Sequence, residues 1–164
     1  MKAFFHLSFI LLFVFTACTS APKQTTTDYT QYVNPFIGTD FTGNTYPGAQ
    51  APFGMVQLSP DNGLPGWDRI SGYFYPDSTI AGFGHTHLSG TGAGDLYDIS
   101  FMPVTLPYKE AEAPLGVYSK FSHQDESATA GYYQVLLKDY GINVELTATE
   151  RCGIQRYTFP EAKA

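Results

Sequence analysis

Short segments in which apolar and polar residues alternate run through much of the chain. The clearest is Ile142 to Thr149, where every second residue is apolar and the residues between are polar. A period of two places one face on a core and the other in water, as in a half-buried β-strand. The preceding segment, Tyr132 to Lys138, is joined to it through Asp139 to Gly141, a short glycine-containing link. The pattern therefore predicts an antiparallel hairpin.

Other segments suggest more strands of the same kind. Cys152 to Phe159 is the next one along the chain, and the earlier candidates are Met55 to Leu58, Gly72 to Tyr75, Ile80 to Phe83, Ile99 to Val104 and Val117 to Phe121. No segment keeps a helical period over three turns. Closely spaced strands predict an all-β fold, and we favour a β-sandwich over a barrel. The long loops rich in glycine and proline, Asn34 to Pro52 and Asp61 to Ser71, are where function is expected on such a scaffold.

The amino-terminal segment differs from the rest in its pattern. Lys2 precedes an apolar run from Phe4 to Phe15, which is shorter than the roughly 20 residues that a membrane-spanning helix needs. Residues 1–17 are therefore predicted to be a secretory signal peptide. Cys18 follows Ala17 where such a signal is cut, as in the lipobox of bacterial lipoproteins, so its thiol is predicted to carry lipid. An ordinary signal with an incidental cysteine is the alternative.

The residues after Cys18 divide into a tether and one domain. Residues 18–30 are mostly small and polar with no apolar period, which predicts a flexible tether, and residues 31–164 form a single domain. Ser20, in place of an acidic residue, resembles Gram-negative lipoproteins that are sent to the outer membrane. We expect that location, facing either the periplasm or the surface.

Charge and cysteine content exclude some classes of protein. The net charge is −6 and only 15% of residues are charged, with no basic cluster, which argues against a nucleic-acid surface. Cys152 is the only other cysteine, so with Cys18 lipidated no intramolecular disulfide is expected and stability must come from the core.

The clearest candidate for ligand binding is the pair Trp67 and Asp68. Trp67 is the only tryptophan and lies in a polar loop, where an indole is costly unless something covers it. The C–H groups of a pyranose pack on an indole while a neighbouring carboxylate accepts hydrogen bonds from hydroxyls. The pair is thus predicted to bind sugar. The alternative is a tryptophan packed on its own sandwich or covered by another domain.

His85 and His87 are a second candidate pair. On an extended chain, residues two apart point to the same side, and Zn²⁺ could use two such imidazoles. No third ligand stands at a suitable spacing, so a metal site is not predicted. The stretch Gly90 to Gly94 lacks the full dinucleotide-binding spacing, and no helix follows it.

The aspartates of the chain do not form an evident catalytic pair. Six aspartates lie beside small or turn-forming residues: Asp40, Asp61, Asp68, Asp77, Asp95 and Asp98. In turns, aspartate commonly hydrogen-bonds its own backbone. These aspartates are therefore interpreted as turn residues.

Several ordered motifs carry a resemblance to a known family. They are Tyr32 to Thr39 (YVNPFIGT), Tyr46 to Asp61 (YPGAQAPFGMVQLSPD), Ser71 to Tyr73 (SGY), Gly82 to Gly92 (GFGHTHLSGTG), Asp95 to Leu96 and Phe101 to Pro103. In this order and spacing they resemble the amino-terminal domain of family 92 glycoside hydrolases.

The resemblance implies an amino-terminal, supersandwich-like β-sandwich followed by an α/α toroid, with the active site at their junction. Members are exo-acting, inverting, Ca²⁺-dependent α-mannosidases whose carboxylates and Ca²⁺ ligands lie mostly in the toroid. We therefore expect a mannose-containing glycan, such as an N-glycan or mannan, as substrate. The resemblance therefore implies that this chain ends before the toroid and before the sandwich is complete, contains no catalytic residue and is inactive alone.

The resemblance also implies that the two histidines contact sugar or another domain. The predicted substrate-binding set is then Trp67, Asp68, His85 and His87. The competing hypothesis is a non-catalytic glycan-binding or scaffolding lipoprotein, or a truncated gene remnant. The preferred α-mannosidic linkage stays open.

Overall fold

The computed structural model describes residues 27–90, 97–108, 110–111 and 116–161. The predicted signal peptide, Cys18 and most of the tether lie outside these residues, as does part of the Gly90 to Gly94 stretch. Within them there is no α-helix, and helical structure is limited to single 3₁₀ turns at Thr30–Tyr32, Trp67–Arg69 and His123–Asp125. No described helix is long and apolar enough to cross a bilayer. The prediction of an all-β fold is confirmed.

Nine short strands make up the regular structure of the described chain. They are β1 (Ala49–Gln50), β2 (Gln57–Asp61), β3 (Thr79–Ile80), β4 (Gly82–Gly84), β5 (Ser119–Lys120), β6 (Glu126–Thr129), β7 (Tyr132–Leu137), β8 (Ile142–Ala148) and β9 (Gly153–Thr158). All pairs are antiparallel. The strands form a three-stranded sheet in the order β1-β2-β4, a two-stranded sheet β3-β5, and a four-stranded sheet β6-β7-β8-β9.

The core lies between the three-stranded and four-stranded sheets. Strands β1 and β2 pack over β7 and β8. Alternation along β7 and β8 sends Tyr133, Val135 and Leu137 and then Ile142, Val144 and Leu146 into the same interior. Leu58, Ile80 and Phe83 meet them from the other strands. Burial of this apolar surface is the main source of stability.

The predicted hairpin is present where the alternation was clearest. Strands β7 and β8 pair from Tyr132↔Thr147 to Leu137↔Ile142. The link between them closes with a hydrogen bond from Gly141 N–H to the Leu137 carbonyl of 2.8 Å. Gly141 has φ 66°, a value that glycine adopts without steric cost. The predicted strand after this hairpin is also present as β9, which is two residues shorter than expected.

The predicted strand at Gly72 to Tyr75 is absent. Gly72 has φ 88°, which ends any extended conformation, and the Phe74 N–H donates to the side chain of Asn62 at 2.5 Å. The same Asn62 side chain donates to the Thr79 carbonyl at 2.7 Å. A buried side chain thus satisfies this backbone in place of a neighbouring strand.

Two other predicted strands are much shorter than expected. The segment Ile99 to Val104 forms a single bridge between Phe101 and Phe83, because Ile99 has φ 54°. Val117 to Phe121 is reduced to β5 and an isolated bridge at Val117. Strand β6 was not predicted, since its sequence, Glu-Ser-Ala-Thr, has no apolar alternation.

Candidate functional site

The sequence-predicted Trp67 and Asp68 open a 3₁₀ turn at the tip of the loop after β2. The turn closes through the Arg69 N–H, which donates to the Gly66 carbonyl at 3.0 Å. The Trp67 side chain extends into solvent and is 63% exposed. Asp68 is half-buried beside it. The indole is therefore available as a surface for a ligand or for another domain.

Arg69 fixes this loop to the rest of the domain. Its Nε and Nη2 groups donate to Asp77 at 2.6 and 2.5 Å, a two-pronged ion pair with geometric specificity. The guanidinium also lies over the Phe74 ring, 4.7 Å from its centroid. The hydrogen bonds to Asp77 raise the pKa of Arg69 above its ordinary value. The loop is thus held rigidly, with both charges of the ion pair compensated.

His87 is buried and contacts Asp61, a residue 26 positions earlier. The His87 Nδ1 lies 2.7 Å from the Gln57 carbonyl oxygen, and its Nε2 lies 2.8 Å from Asp61 Oδ1. A carbonyl oxygen only accepts hydrogen bonds, so Nδ1 carries a hydrogen. Nε2 faces Asp61 Oδ1, so both ring nitrogens are held by groups of the domain.

Two glycines allow this pair to form. A Cβ on Gly72 would overlap Asp61 Oδ1 and lie 3.1 Å from His87 Cδ2. A Cβ on Gly84 would lie 2.9 Å from Asp61 Oδ2 and 3.2 Å from His87 Cε1. The Gly84 N–H itself donates to Asp61 Oδ2 at 3.0 Å. The absence of side chains at both positions is therefore what lets the backbone close around the carboxylate.

His85 lies in a different environment from His87. Its Nδ1 donates to the Ile99 carbonyl at 2.9 Å, and its ring meets Phe101 edge to face at 5.8 Å. Strand β4 ends at Gly84, so the alternation that would place both histidines on one side does not continue. The predicted set is thus divided: Trp67 and Asp68 lie on the exposed loop after β2, His87 is buried against Asp61, and His85 packs against Phe101. The assignment of these four residues to substrate stays a prediction.

A cavity of about 340 Å³ opens beside the Asp61–His87 pair. Its walls include Asp61, Leu64, Pro65, Arg69, Tyr97 and Ser100. The Tyr97 hydroxyl donates to the Ile70 carbonyl, which closes the wall on that side. The cavity combines apolar surface with a few fixed polar groups, as small-molecule sites do.

Asp61 is the residue that sequence reasoning did not place in the site. The turn interpretation assigned its carboxylate to its own backbone, but it lies at the end of β2 and binds His87 and the Gly84 N–H. No local signal in the sequence marked its side chain as inward-facing. Its partner lies too far along the chain to be inferred from local pattern.

A second polar cluster is buried around Glu126. The Glu126 carboxylate accepts hydrogen bonds from the hydroxyls of Tyr133 at 2.6 Å and Tyr73 at 3.0 Å, and it lies 2.6 Å from His123 Nδ1. Burial, with the negative charge of Glu126, raises the pKa of Tyr133 well above its ordinary value and that of Tyr73 likewise. Every group is satisfied within the domain, so the cluster is structural.

Metal binding has no support among the described side chains. No three histidine, cysteine, aspartate or glutamate side chains converge within the part of the chain that the structure covers. The free thiol of Cys152 is exposed at the β8–β9 turn. The described residues do not fit a Ca²⁺ site, and the Ca²⁺ ligands implied by the family resemblance are assigned to another domain.

The comparisons of this chain with known proteins agree on one family. The sequence model described as "Glycosyl hydrolase family 92 N-terminal domain" matches residues 32–164. An uncharacterized secreted glycosidase of Arthroderma benhamiae is 29% identical over 147 residues, which are 84% of this chain and 18% of that protein.

Solved structures agree with the sequence match. A family 92 α-mannosidase from Bacteroides thetaiotaomicron, in complex with mannoimidazole, superposes with a TM-score of 0.75 at 49% identity, over 81% of this chain and 18% of its own. A family 92 inverting mannosidase from the same species gives a TM-score of 0.65 at 34% identity, over 84% of this chain and 19% of its own. The chain spans less than a fifth of the length of these proteins.

Proposed function

Because this chain belongs to glycosyl hydrolase family 92, as its amino-terminal domain, we propose that it is part of an exo-acting, inverting α-mannosidase that trims N-glycans or mannans. The observation that carries this proposal is the combined sequence and structural likeness to solved family 92 mannosidases. One of those proteins is described as inverting, and another was solved with mannoimidazole bound.

The role of this domain in the reaction is recognition. Inverting hydrolysis needs a carboxylic acid and a carboxylate base about 6.5 to 9.5 Å apart, with a water between them and the sugar. Asp61, Asp77 and Glu126 are each bound to an internal partner. From the resemblance to family 92, we assign the acid and base, and the Ca²⁺ ligands, to another part of the enzyme.

Trp67 and Asp68 are the groups that we expect to meet substrate. An exposed indole offers a flat apolar face to the C–H groups of a mannose ring, and the adjacent carboxylate accepts from its hydroxyls. The Arg69–Asp77 ion pair holds the loop in one position. Binding energy obtained here would orient the glycan for the catalytic carboxylates.

Replacing Trp67 with Ala tests the proposal in the mannosidase that carries this domain. We expect kcat/KM for an α-mannoside to fall about 5- to 150-fold, which corresponds to about 1 to 3 kcal/mol for a lost stacking contact. Trp67→Phe keeps an aromatic face and should retain more of the activity. Ile154→Ala, an exposed apolar change on the outer face of β9, is the control and should leave the kinetics unchanged.

Two results would count against this assignment. Wild-type kinetics in Trp67→Ala would make the loop structural. An enzyme that releases no mannose from any α-mannoside would contradict the mannosidase itself and favour a non-catalytic glycan-binding protein.

We further propose that the protein is an outer-membrane lipoprotein anchored through Cys18, on the strength of the signal-like sequence before it. Cys18→Ala should move the protein from the membrane fraction to the soluble fraction, as judged by fractionation and immunoblot. Cys152→Ala removes the other thiol and should leave it in the membrane. Membrane association that survives Cys18→Ala would contradict the anchor.

A further inference from the structure

The cavity beside Asp61 has a carboxylate in its wall with acceptor capacity to spare. Asp61 Oδ2 accepts a hydrogen bond from the Gly84 N–H, and Asp61 Oδ1 lies 2.8 Å from His87 Nε2. A carboxylate offers about four lone-pair sites, so about two remain. The Asp61 side chain is 13% exposed, and its residue is part of the cavity wall. A hydroxyl group entering the cavity can therefore donate to Asp61.

The charged groups described in the cavity wall have partners inside the domain. Asp61 pairs with His87, and Arg69 pairs with Asp77. Both partners lie behind the wall residues and are largely buried. Because the guanidinium of Arg69 is already compensated by Asp77, a phosphate in the cavity would gain little from it and would also lie near the Asp61 carboxylate.

The segment that contributes Tyr97 to the cavity wall is held in an unusual conformation. Tyr97 and Ile99 have φ values of 57° and 54°, which are unfavourable for side chains larger than glycine and most of all for a β-branched one. Backbone hydrogen bonds to β4 and its continuation keep this segment in place, including Tyr97 N–H to the Thr86 carbonyl at 2.9 Å. Residues held in this way cluster at binding sites, where they fix a wall before the ligand arrives.

From these observations we infer that the cavity binds one neutral sugar ring, with Asp61 as the acceptor for its hydroxyls and as the residue that selects it over phosphorylated sugars. The volume of about 340 Å³ lies at the lower end of the range for small-molecule sites, which suits a single ring better than an oligosaccharide. Leu64 and Pro65 supply the apolar surface that covers its C–H groups. The inference rests on the proposed function, because it names the sugar-selecting group of that same recognition domain.

The test is a titration of the full chain with methyl α-mannopyranoside and with mannose 6-phosphate, followed by ligand-observed NMR. Methyl α-mannopyranoside should bind, and mannose 6-phosphate should bind no more tightly. Asp61→Asn should weaken binding about tenfold or more, since it removes a charged acceptor. Asp125→Asn, at an exposed aspartate that pairs with Lys138, is the matched control and should bind like the wild type.

A second variant covers the case in which Asp61→Asn fails to fold. Ser100→Phe adds bulk from an exposed position on the cavity wall and leaves the Asp61–His87 pair untouched. It should abolish binding while retaining the wild-type circular dichroism spectrum.

Three results would overturn the inference. These are no binding of methyl α-mannopyranoside to the wild-type chain, tighter binding of mannose 6-phosphate, or wild-type binding by the folded Ser100→Phe variant. If one of them occurs while the enzyme that carries this domain still releases mannose, the cavity inference fails and the proposed function stands. If that enzyme has no mannosidase activity, the proposed function fails.

Discussion

At the scale of single residues, the site depends on two glycines whose lack of a side chain leaves room for the Asp61–His87 pair. Gly72 and Gly84 lie on either side of the Asp61–His87 pair, where a Cβ would overlap or crowd the carboxylate and the imidazole. Gly72 also has φ 88°, which an alanine tolerates poorly. Its role is therefore twofold, and the two contributions can be separated by experiment.

Gly72→Ala should destabilise the domain more than the same change at Gly131. Gly131 has φ 78° but no atom within 4 Å of the added Cβ, so its substitution measures the conformational cost alone, about 1 to 2 kcal/mol. Gly72→Ala should exceed it by about 1 to 3 kcal/mol, because it also displaces a hydrogen-bonded charged pair. Urea denaturation of both variants gives the comparison. Equal losses would show that the close approach to Asp61 contributes nothing.

At the scale of elements, strand β8 is the centre of the four-stranded sheet. Its alternate residues Ile142, Val144 and Leu146 are fully buried, while Asn143, Glu145 and Thr147 face outward. On the outer face, Glu145 accepts hydrogen bonds from Tyr132 at 2.6 Å and from Arg156. Arg156 and Tyr132 hold the pKa of Glu145 below its ordinary value, but this exposed ion pair is not where the stability of the strand arises.

Leu146→Ala should lower the free energy of unfolding by about 2 to 5 kcal/mol, through lost apolar burial and the cavity left behind. Asn143 lies in the same strand on the opposite face. Asn143→Ala should change the free energy of unfolding by no more than about 0.5 kcal/mol. Thermal or urea denaturation measures both. Similar effects for the two variants would contradict the assignment of the buried face.

At the scale of the whole molecule, the Glu126 cluster joins segments that are distant in sequence. Tyr73 follows the loop of Trp67, Tyr133 lies in β7, and His123 stacks on Tyr75 with ring centroids 3.9 Å apart. Strand β6 is thereby held by a buried carboxylate instead of an apolar side chain. A charge in this position is tolerated because each of its oxygens is hydrogen-bonded.

This cluster predicts a loss of stability at alkaline pH. Burial raises the pKa of Tyr73 and Tyr133 in the folded state above the ordinary value of 10.0, and that of Tyr46 to about 12. Below pH 10 these hydroxyls are neutral in both states. As the pH rises further, the unfolded chain ionises first, so the free energy of unfolding falls by up to about 1.4 kcal/mol per tyrosine for each pH unit.

The measurement is urea denaturation at pH 9 and pH 11. Tyr133→Phe removes one ionisable group. The free energy of unfolding of this variant should therefore fall less between pH 9 and pH 11 than that of the wild type, whatever its value at pH 9. An identical pH slope for the two proteins would exclude Tyr133 as a source of the alkaline loss.

The sequence determined those features whose cause is local. The period of two predicted β7, β8 and β9, because each alternating residue is sorted to the core or to water within its own strand. The link before Gly141 predicted the hairpin for the same reason. The ordered motifs predicted the family, and the polar loop predicted an accessible Trp67.

The tertiary structure decided the features that depend on contacts between distant segments. The Asp61–His87 pair, the buried Glu126 in β6 and the turn at Gly72 to Tyr75 each arise from a partner that another part of the chain supplies. A polar residue gives the same local signal whether it faces water or a buried partner. Whether Asp61 caps its own backbone or forms the wall of a cavity was therefore fixed only when folding brought His87 and two glycines around it.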